Sequence, residues 1–263
     1  MDTLIMDTAK WAAFPHENKA FRYPGDKLAT AWKKLHRGDT EPLPDEAGIL
    51  EAWRHFHAGD FAAAVDLAEE AGLAGHAVAN KASGIYADYL EESEESKIAI
   101  YQAGIQRAEA AIAEWEDDAN AHYFHAFLLG RYSQSISIAQ ALAQGIGGKV
   151  RESLENALSL SPEHAEAHTA LGLYHAEIIN KVGKMVGKLT YGASADKALE
   201  HFERALELTP EAPIAHIEYG NGLYLLFGDK RLEESNAAYE KAAKIKPIDA
   251  MQKLDVEYAK ASL

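Results

Sequence analysis

Three segments of this chain repeat one local pattern around an Ala-His pair, and this internal repetition constrains the fold more than any other feature. The segments are ANAHYFHA at 119–126, AEAHTALG at 165–172 and PIAHIEYG at 213–220. Each follows a stretch with helical periodicity that ends in polar or Pro-containing turn residues. Repeats of this kind are typical of stacked helical hairpins that bury a common core. The sequence therefore predicts an all-α fold.

The stretch at 195–210 resembles the second helix of a tetratricopeptide repeat, a helix–turn–helix unit of about 34 residues. Small residues let two helices approach, bulky ones fill the groove between them, and Pro cannot continue a helix. The positions that match are Ala198, Phe202, Ala205, Leu206, Leu208 and Pro210, with Leu171 and Gly172 as the Leu-Gly of a first helix. The resemblance implies a right-handed superhelical solenoid.

The segments before 119 carry the same organisation more loosely. AWKKLHRGD at 31–39 and AWRHFHAGD at 52–60 are near-duplicates that end in Gly-Asp, a helix stop followed by a new start. Residues 61–72 read as the partner of the second one, and helices are predicted at 76–91 and 96–115. With a capping helix at 249–261, the count is about five helical hairpins plus a cap. We expect an irregular N-terminal arm at 1–25 and a single solenoid domain over 26–263.

Two insertions interrupt the repeats. His122 and His168 are 46 residues apart, and His168 and His216 are 48 apart, against about 34 for a standard unit. The surplus lies at 131–149 and 179–194, between the first and second helix of each repeat. We expect the second insertion to be a helix extended beyond its partner, in which Gly183, Gly187 and Gly192 permit close helix packing or a kink. Because neighbouring repeats stack, the two insertions should lie side by side.

The insertions are rich in Gly and positive charge within an acidic chain, and three roles remain open for them. They could pack on each other, wall a pocket for a lipophilic or anionic ligand, or contact a membrane surface through a cationic amphipathic face. The candidate ligand-binding residues are Tyr132, Lys149, Lys181, Lys184, Lys188 and Tyr191.

The order of repeats and inserts carries a second resemblance. A first helix ends in GRYSQ and is followed by a long insert. After this insert comes the segment VRESLENALSLSPEHAEAHTALGLYHAE, and a second insert separates that segment from ALEHFERALELTPEAPIAHIEYG. This order resembles the C-terminal half of the regulator-of-microtubule-dynamics family and its bacterial relatives. It is also similar to the helical component associated with TRAP transporters. The resemblance covers roughly 119–247 and implies binding of a protein partner or ligand on a helical solenoid.

Composition excludes several classes of function. A formal net charge of -15 disfavours nucleic-acid binding, because phosphate neutralisation requires a surplus of Lys and Arg. The chain has no cysteine, so disulfides and thiolate chemistry are excluded. The first residues lack the pattern of a secretory signal, and no apolar run is long enough to span a bilayer. We expect a cytoplasmic protein without a cofactor, and membrane contact is the least favoured of the three roles open for the insertions.

No pattern indicates catalysis. In GIGGKVR at 145–151, Ala143 and Val150 stand where a P-loop needs Gly and Ser or Thr. His164 and His168 are one helical turn apart, a spacing that can bind zinc, but His168 recurs as His122 and His216, which favours packing or interhelical hydrogen bonding. HExxH and GxSxG motifs do not occur. We therefore expect a non-enzyme with no metal site.

The leading hypothesis is a scaffold that binds a protein or peptide partner on the concave face formed by the first helices of the repeats. Aromatic and apolar side chains mixed with Arg and Asn suit an extended peptide or a helix. The residues predicted to line this face are Asn120, Tyr123, Phe127, Arg131, Glu166, Thr169, Leu173, Glu177, Ile217, Asn221 and Tyr224. The alternative is a carrier of a lipophilic or anionic ligand between the two insertions.

Overall fold

A computed structural model describes residues 8–263 of the chain, and this described part is all-helical, without a β-strand. The α-helices are α1 Lys27–Leu35, α2 Ala47–Ala58, α3 Phe61–Glu70, α4 His76–Tyr89, α5 Glu94–Glu114, α6 Ala119–Gln134, α7 Ile138–Ala143, α8 Ile146–Leu160, α9 Ala165–Val182, α10 Lys184–Tyr191, α11 Ala195–Leu208, α12 Pro213–Phe227, α13 Leu232–Lys244 and α14 Ala250–Ala261. The prediction of an all-α fold is confirmed. Of the predicted arm at 1–25, residues 1–7 lie outside the described part.

Side-chain caps explain why several helices begin where they do. The side chains of Ser93, Asp118 and Ser194 each accept a hydrogen bond from the backbone N–H three residues on, at the start of α5, α6 and α11. His164 does the same for α9 with its imidazole. Each cap pairs an N–H that the helix itself leaves without a partner.

The chain divides into two compact units. Unit 1 contains Glu41–Leu160 and Asp249–Met251 together with the described residues up to Leu35, and unit 2 contains His36–Thr40, Ser161–Ile248 and Gln252–Leu263. The first insertion lies in unit 1 and the second in unit 2. One continuous solenoid over 26–263, with the two insertions side by side, stays a prediction.

In unit 1 each helix from α2 to α6 packs against the next, and α6 packs against α8. Leu128 of α6 is fully buried and reaches Gly104 of α5 and Gly84 of α4. A Cβ atom on Gly104 would lie 2.5 Å from Leu128 Cδ1, so only glycine allows α5 and α6 to approach this closely. The described part of the predicted arm also belongs to this unit, where the rings of Trp11 and Tyr86 stack 4.0 Å apart.

Unit 2 is organised around Phe202 of α11. This ring is buried and lies against Gly172 of α9 and Gly222 of α12, where added Cβ atoms would come within 2.9 Å and 2.3 Å of it. The pairing of small residues with a large one, predicted for Gly172 and Phe202, therefore joins three helices. The predicted capping helix is α14, whose Ala259 packs with Ile217 and Ala242.

The second insertion differs from its expected form. We expected one extended helix, but α9 ends at Val182 and a separate short helix, α10, begins at Lys184. Gly183 between them has φ +82° and ψ 159°, a conformation that side-chain-bearing residues rarely adopt and that no helix contains. In the first insertion α6 continues to Gln134 and the short helix α7 follows.

Candidate functional site

The residues predicted to line a partner-binding face differ widely in exposure. Asn120, Tyr123, Thr169 and Ile217 are buried, whereas Tyr224 is the most accessible of the set, with 53% of its surface exposed. The remaining positions are half-buried: Phe127, Arg131, Glu166, Leu173, Glu177 and Asn221. A partner therefore has direct access to only part of the predicted face.

Two of these residues contact the segment that follows α1. In unit 1 the side-chain amide of Asn120 donates to Glu41 Oε2 at 2.5 Å. In unit 2 the backbone N–H of Glu166 donates to the carbonyl oxygen of Gly38 at 3.0 Å. The first turns of α6 and α9 are thus covered by the chain's own residues.

Arg131 belongs to a charged cluster at the end of α6. Its Nε lies 2.8 Å from Asp88 Oδ2, and the hydroxyl of Tyr101 donates to Asp88 Oδ1 at 2.7 Å. The guanidinium also lies over the Phe127 ring, 5.6 Å from its centroid. Burial raises the pKa of Asp88, and Arg131 opposes that rise. The arrangement makes Arg131 a structural partner of α4 and α5 within unit 1.

On α9 the predicted residues make local contacts. The Thr169 hydroxyl donates to the carbonyl oxygen of Ala165 one turn earlier, and Glu177 pairs with Lys181 at 2.8 Å. Leu173 packs against the core that surrounds Phe202.

Helix α12 carries two of the predicted residues that are not buried, the half-buried Asn221 and the exposed Tyr224. The amide of Asn221 is held from both sides, because its Nδ2 donates to Glu218 Oε2 at 2.9 Å and its Oδ1 accepts from the Tyr239 hydroxyl at 2.5 Å. Tyr258 of α14 lies next to Tyr239, with ring centroids 6.5 Å apart. Burial raises the pKa of Tyr239, so its hydroxyl stays a proton donor at neutral pH. Tyr224, which is exposed, lies three residues after Asn221 on the same helix.

The candidate ligand-binding residues lie mostly at the surface. Lys184 and Lys188 of α10 and Lys149 of α8 are exposed, Lys181 is paired with Glu177, and Tyr132 and Tyr191 are half-buried. A pocket built jointly by the two insertions stays a prediction. Within residues 8–263, no helix combines the length and the apolar character needed to cross a membrane.

The recurring histidines have a shared structural role. His122, His168 and His216 each donate through Nε2 to a backbone carbonyl oxygen six residues earlier, at 2.9, 3.1 and 2.8 Å. We expect packing or interhelical hydrogen bonding at this position, whereas the bond that the three rings share joins each ring to the turn before its own helix. His168 also faces His201, with 2.9 Å between their Nδ1 atoms. His164 Nδ1 accepts from the backbone N–H of Ala167.

Asp88, Tyr239 and His201 were not among the residues predicted from the sequence. Asp88 is an acidic residue in an otherwise weakly charged helix. Since acidic residues are rarely buried unless they are paired, its presence there could have indicated a buried ion pair. Tyr239 and His201 offered no local pattern, because their partners are 18 and 33 residues away.

Comparison with known families supports the resemblance stated above. The sequence profile of the family described as regulator of microtubule dynamics protein 1-3 matches residues 69–260. The matched range is nearly three quarters of the chain and includes α4 to α13 and both insertions.

Individual relatives match a shorter part. The regulator of microtubule dynamics protein 3 of Bos taurus is 28% identical over 133 residues, which are 48% of this chain and 28% of that protein. The proteins of the same name from Mus musculus and Xenopus laevis are each 28% identical over 127 residues, 46% of this chain and 27% of each relative. The matched part thus spans less than a third of the length of these relatives. The similarity to the TRAP-transporter component and to bacterial proteins stays a prediction.

Proposed function

The chain belongs to the regulator of microtubule dynamics protein 1-3 family, and from this premise we propose that it is a non-catalytic helical protein that binds a protein partner. The curated relatives are named as regulators of microtubule dynamics, and regulation of a protein polymer depends on contacts with proteins. The partner of this chain is proposed as a protein or a peptide segment of one.

We infer that the helix pairs α6–α8, α9–α11 and α12–α13 are tetratricopeptide-like hairpins. The contacts of Phe202 with Gly172 and Gly222 support this inference, because close approach of small and large residues is the packing device of such repeats. The His contacts at one repeat position support it as well. In a protein of this kind, first helices such as α12 supply the recognition surface.

The observation that carries the proposal is the exposure of Tyr224, one turn from the fixed amide of Asn221. An exposed aromatic ring offers a large contact area at low entropic cost, and such residues dominate the energetics of protein interfaces. An amide held by Glu218 and Tyr239 needs no reordering before it bonds a peptide backbone. A peptide laid along α12 would meet both groups.

Peptides selected by display against the purified chain provide the test. We expect Tyr224→Ala to weaken their binding by about 30-fold or more, the range of an interface hot spot. Tyr224→Phe keeps the ring and should bind nearly as well. Leu142→Ser, at an exposed position in unit 1, is the control and should change nothing. Unchanged affinity of the Tyr224→Ala variant would exclude this surface, and failure to select any peptide would contradict the proposed function.

A further inference from the structure

Helix α10 presents its large apolar side chains to solvent. Met185 is 75% exposed, Leu189 is 81% exposed, and Val186 between them is 47% exposed. Residues one turn apart share a face of a helix, so the three side chains form one outward apolar face. Single exposed apolar residues are ordinary, whereas three on one short helix indicate an interaction surface.

The way in which α10 is attached explains this exposure. Gly187 is its buried residue, and it lies against Ile178, Ile179 and Ala193, which an added Cβ would approach at 3.4 to 3.8 Å. A helix that served to enlarge the core would direct its large side chains inward. Here the smallest residue faces the core, so the packing role considered for this insertion does not account for Met185 and Leu189.

Positive charge lies on one flank of the apolar face. Lys184 and Lys188 are one turn apart and exposed, and neither forms an ion pair with a residue in the described range 8–263. Between Glu177 and Asp196 the chain has no acidic residue. A chain with a net charge of -15 thus has a cationic and apolar helix at this point.

We propose that α10 docks on the surface of an anionic lipid bilayer, with its apolar face in the headgroup region and Lys184 and Lys188 at lipid phosphates. An apolar helix face with flanking lysines is the pattern of interfacial helices. Side chains as exposed as Met185 and Leu189 form a protruding surface rather than a groove, and a bilayer accepts such a surface where a peptide would require a groove.

The acidity of the rest of the chain does not prevent this contact. Charges farther from the bilayer than a Debye length, about 8 Å at physiological ionic strength, are largely screened. The lysines at the contact therefore outweigh distant carboxylates. This inference is independent of the proposed peptide site at Tyr224, and it replaces the expectation that membrane contact is the least favoured role of the insertions.

Cosedimentation of the full chain with vesicles tests the proposal. We expect binding to phosphatidylcholine vesicles that contain about 30% phosphatidylserine, little binding to phosphatidylcholine alone, and release by salt. The double variant Lys184→Glu/Lys188→Glu should bind at least about 25-fold more weakly, since one basic residue near an anionic surface contributes about fivefold. Met185→Ser/Leu189→Ser should also lose most of the binding. These side chains are exposed, so the thermal unfolding of both variants should match that of the parent chain.

Helix α7 offers a matched control. Ile138 and Leu142 are 56% and 52% exposed and one turn apart, but α7 contains no charged residue. Ile138→Ser/Leu142→Ser should bind vesicles as the parent does. Equal losses in this control and in the α10 variants would overturn the proposal, because they would show nonspecific apolar adhesion.

A fluorescent reporter locates the contact. The chain has four tryptophans of its own, so each variant is compared with the parent. Anionic vesicles should shift the emission of Leu189→Trp to shorter wavelength beyond any shift of the parent, and that of Ile138→Trp should not shift further. Absence of binding and of any shift with anionic vesicles would overturn the proposal. If vesicles do not bind, two other results would also overturn the proposal. Self-association that depends on the lysines, measured by sedimentation velocity, would assign the face to a second copy of the chain. Lysine-dependent binding of a polyglutamate peptide would assign it to an acidic protein.

Discussion

His216 donates through Nε2 to the carbonyl oxygen of Pro210 at 2.8 Å, and so ties helix α12 to the turn that precedes it. His168 repeats the contact with Pro162, and His122 repeats it with Glu116. The neutral ring must carry its proton on Nε2, because a carbonyl oxygen can only accept. The histidine of each Ala-His pair thus fixes the start of its helix to the preceding turn through one hydrogen bond.

Replacement of His216 should therefore weaken the fold. His216→Ala removes the bond to Pro210 and leaves a small cavity in place of the buried imidazole, and we expect the free energy of unfolding to fall by about 1–3 kcal/mol. His216→Gln keeps an N–H donor and should lose less. Urea unfolding followed by circular dichroism measures both, and an alanine variant as stable as the parent would show that the bond is dispensable.

Stability should also depend on pH through three histidines. Burial lowers the pKa of His125, His168 and His216 in the folded chain, while in the unfolded chain the pKa lies near 6.5. Below about pH 7.5 the unfolded state then binds more protons, so the free energy of unfolding should fall as pH decreases from about 7.5 to 5. Protonation of His168 would also remove the acceptor of its hydrogen bond with His201, because Nδ1 of the neutral ring holds the lone pair.

Urea titrations at several pH values check this dependence. The triple variant His125→Gln/His168→Gln/His216→Gln cannot titrate at these positions, and its stability should change less over the same range. An equal slope in the parent and in the variant would assign the pH dependence to other groups.

Gly222 should not tolerate a methyl group. A Cβ there would lie 2.3 Å from Phe202 Cε2 and 2.6 Å from Cζ, and the buried ring has little room to move. We expect Gly222→Ala to lower the free energy of unfolding by about 2 kcal/mol or more. Gly148→Ala is the control, because Gly148 lies in α8 with no atom within 4 Å of its added Cβ. That change should be neutral or stabilise by up to about 1 kcal/mol. Loss of stability in the control alone would contradict the packing argument.

Much of the fold could be predicted because its signals are local. Helical periodicity, N-caps such as Ser93 and Asp118, and the small residues beside Phe202 all act within a few residues or within one repeated unit. The end of α9 could not be predicted, because a glycine within a helical pattern is compatible with close packing, a kink or a stop. Gly183 stops the helix, whereas Gly187 allows close packing.

The candidate site was less predictable because exposure depends on distant segments. Asn120 and Glu166 share a repeat position that the solenoid hypothesis assigns to a partner, yet Glu41 and Gly38 lie against them, more than 70 residues away in sequence. No periodic pattern encodes such contacts. Tyr224 remains accessible because no described segment covers it to the same extent.

Substitution of Arg131 tests whether this residue stabilises the fold or is available to bind a partner. Its guanidinium faces Asp88, a largely buried carboxylate, and removal of one member of such a pair leaves the other charge without compensation. We expect Arg131→Ala to lower the free energy of unfolding by about 2–4 kcal/mol. Arg151→Ala, which removes a surface pair with Glu155, should change it by less than about 1 kcal/mol.

A double-mutant cycle with Asp88→Asn completes the test, since the neutral amide should recover part of the loss caused by Arg131→Ala. Additive losses, or an Arg131→Ala variant as stable as Arg151→Ala, would contradict a structural role. Arg131 would then return to the residues available to a partner.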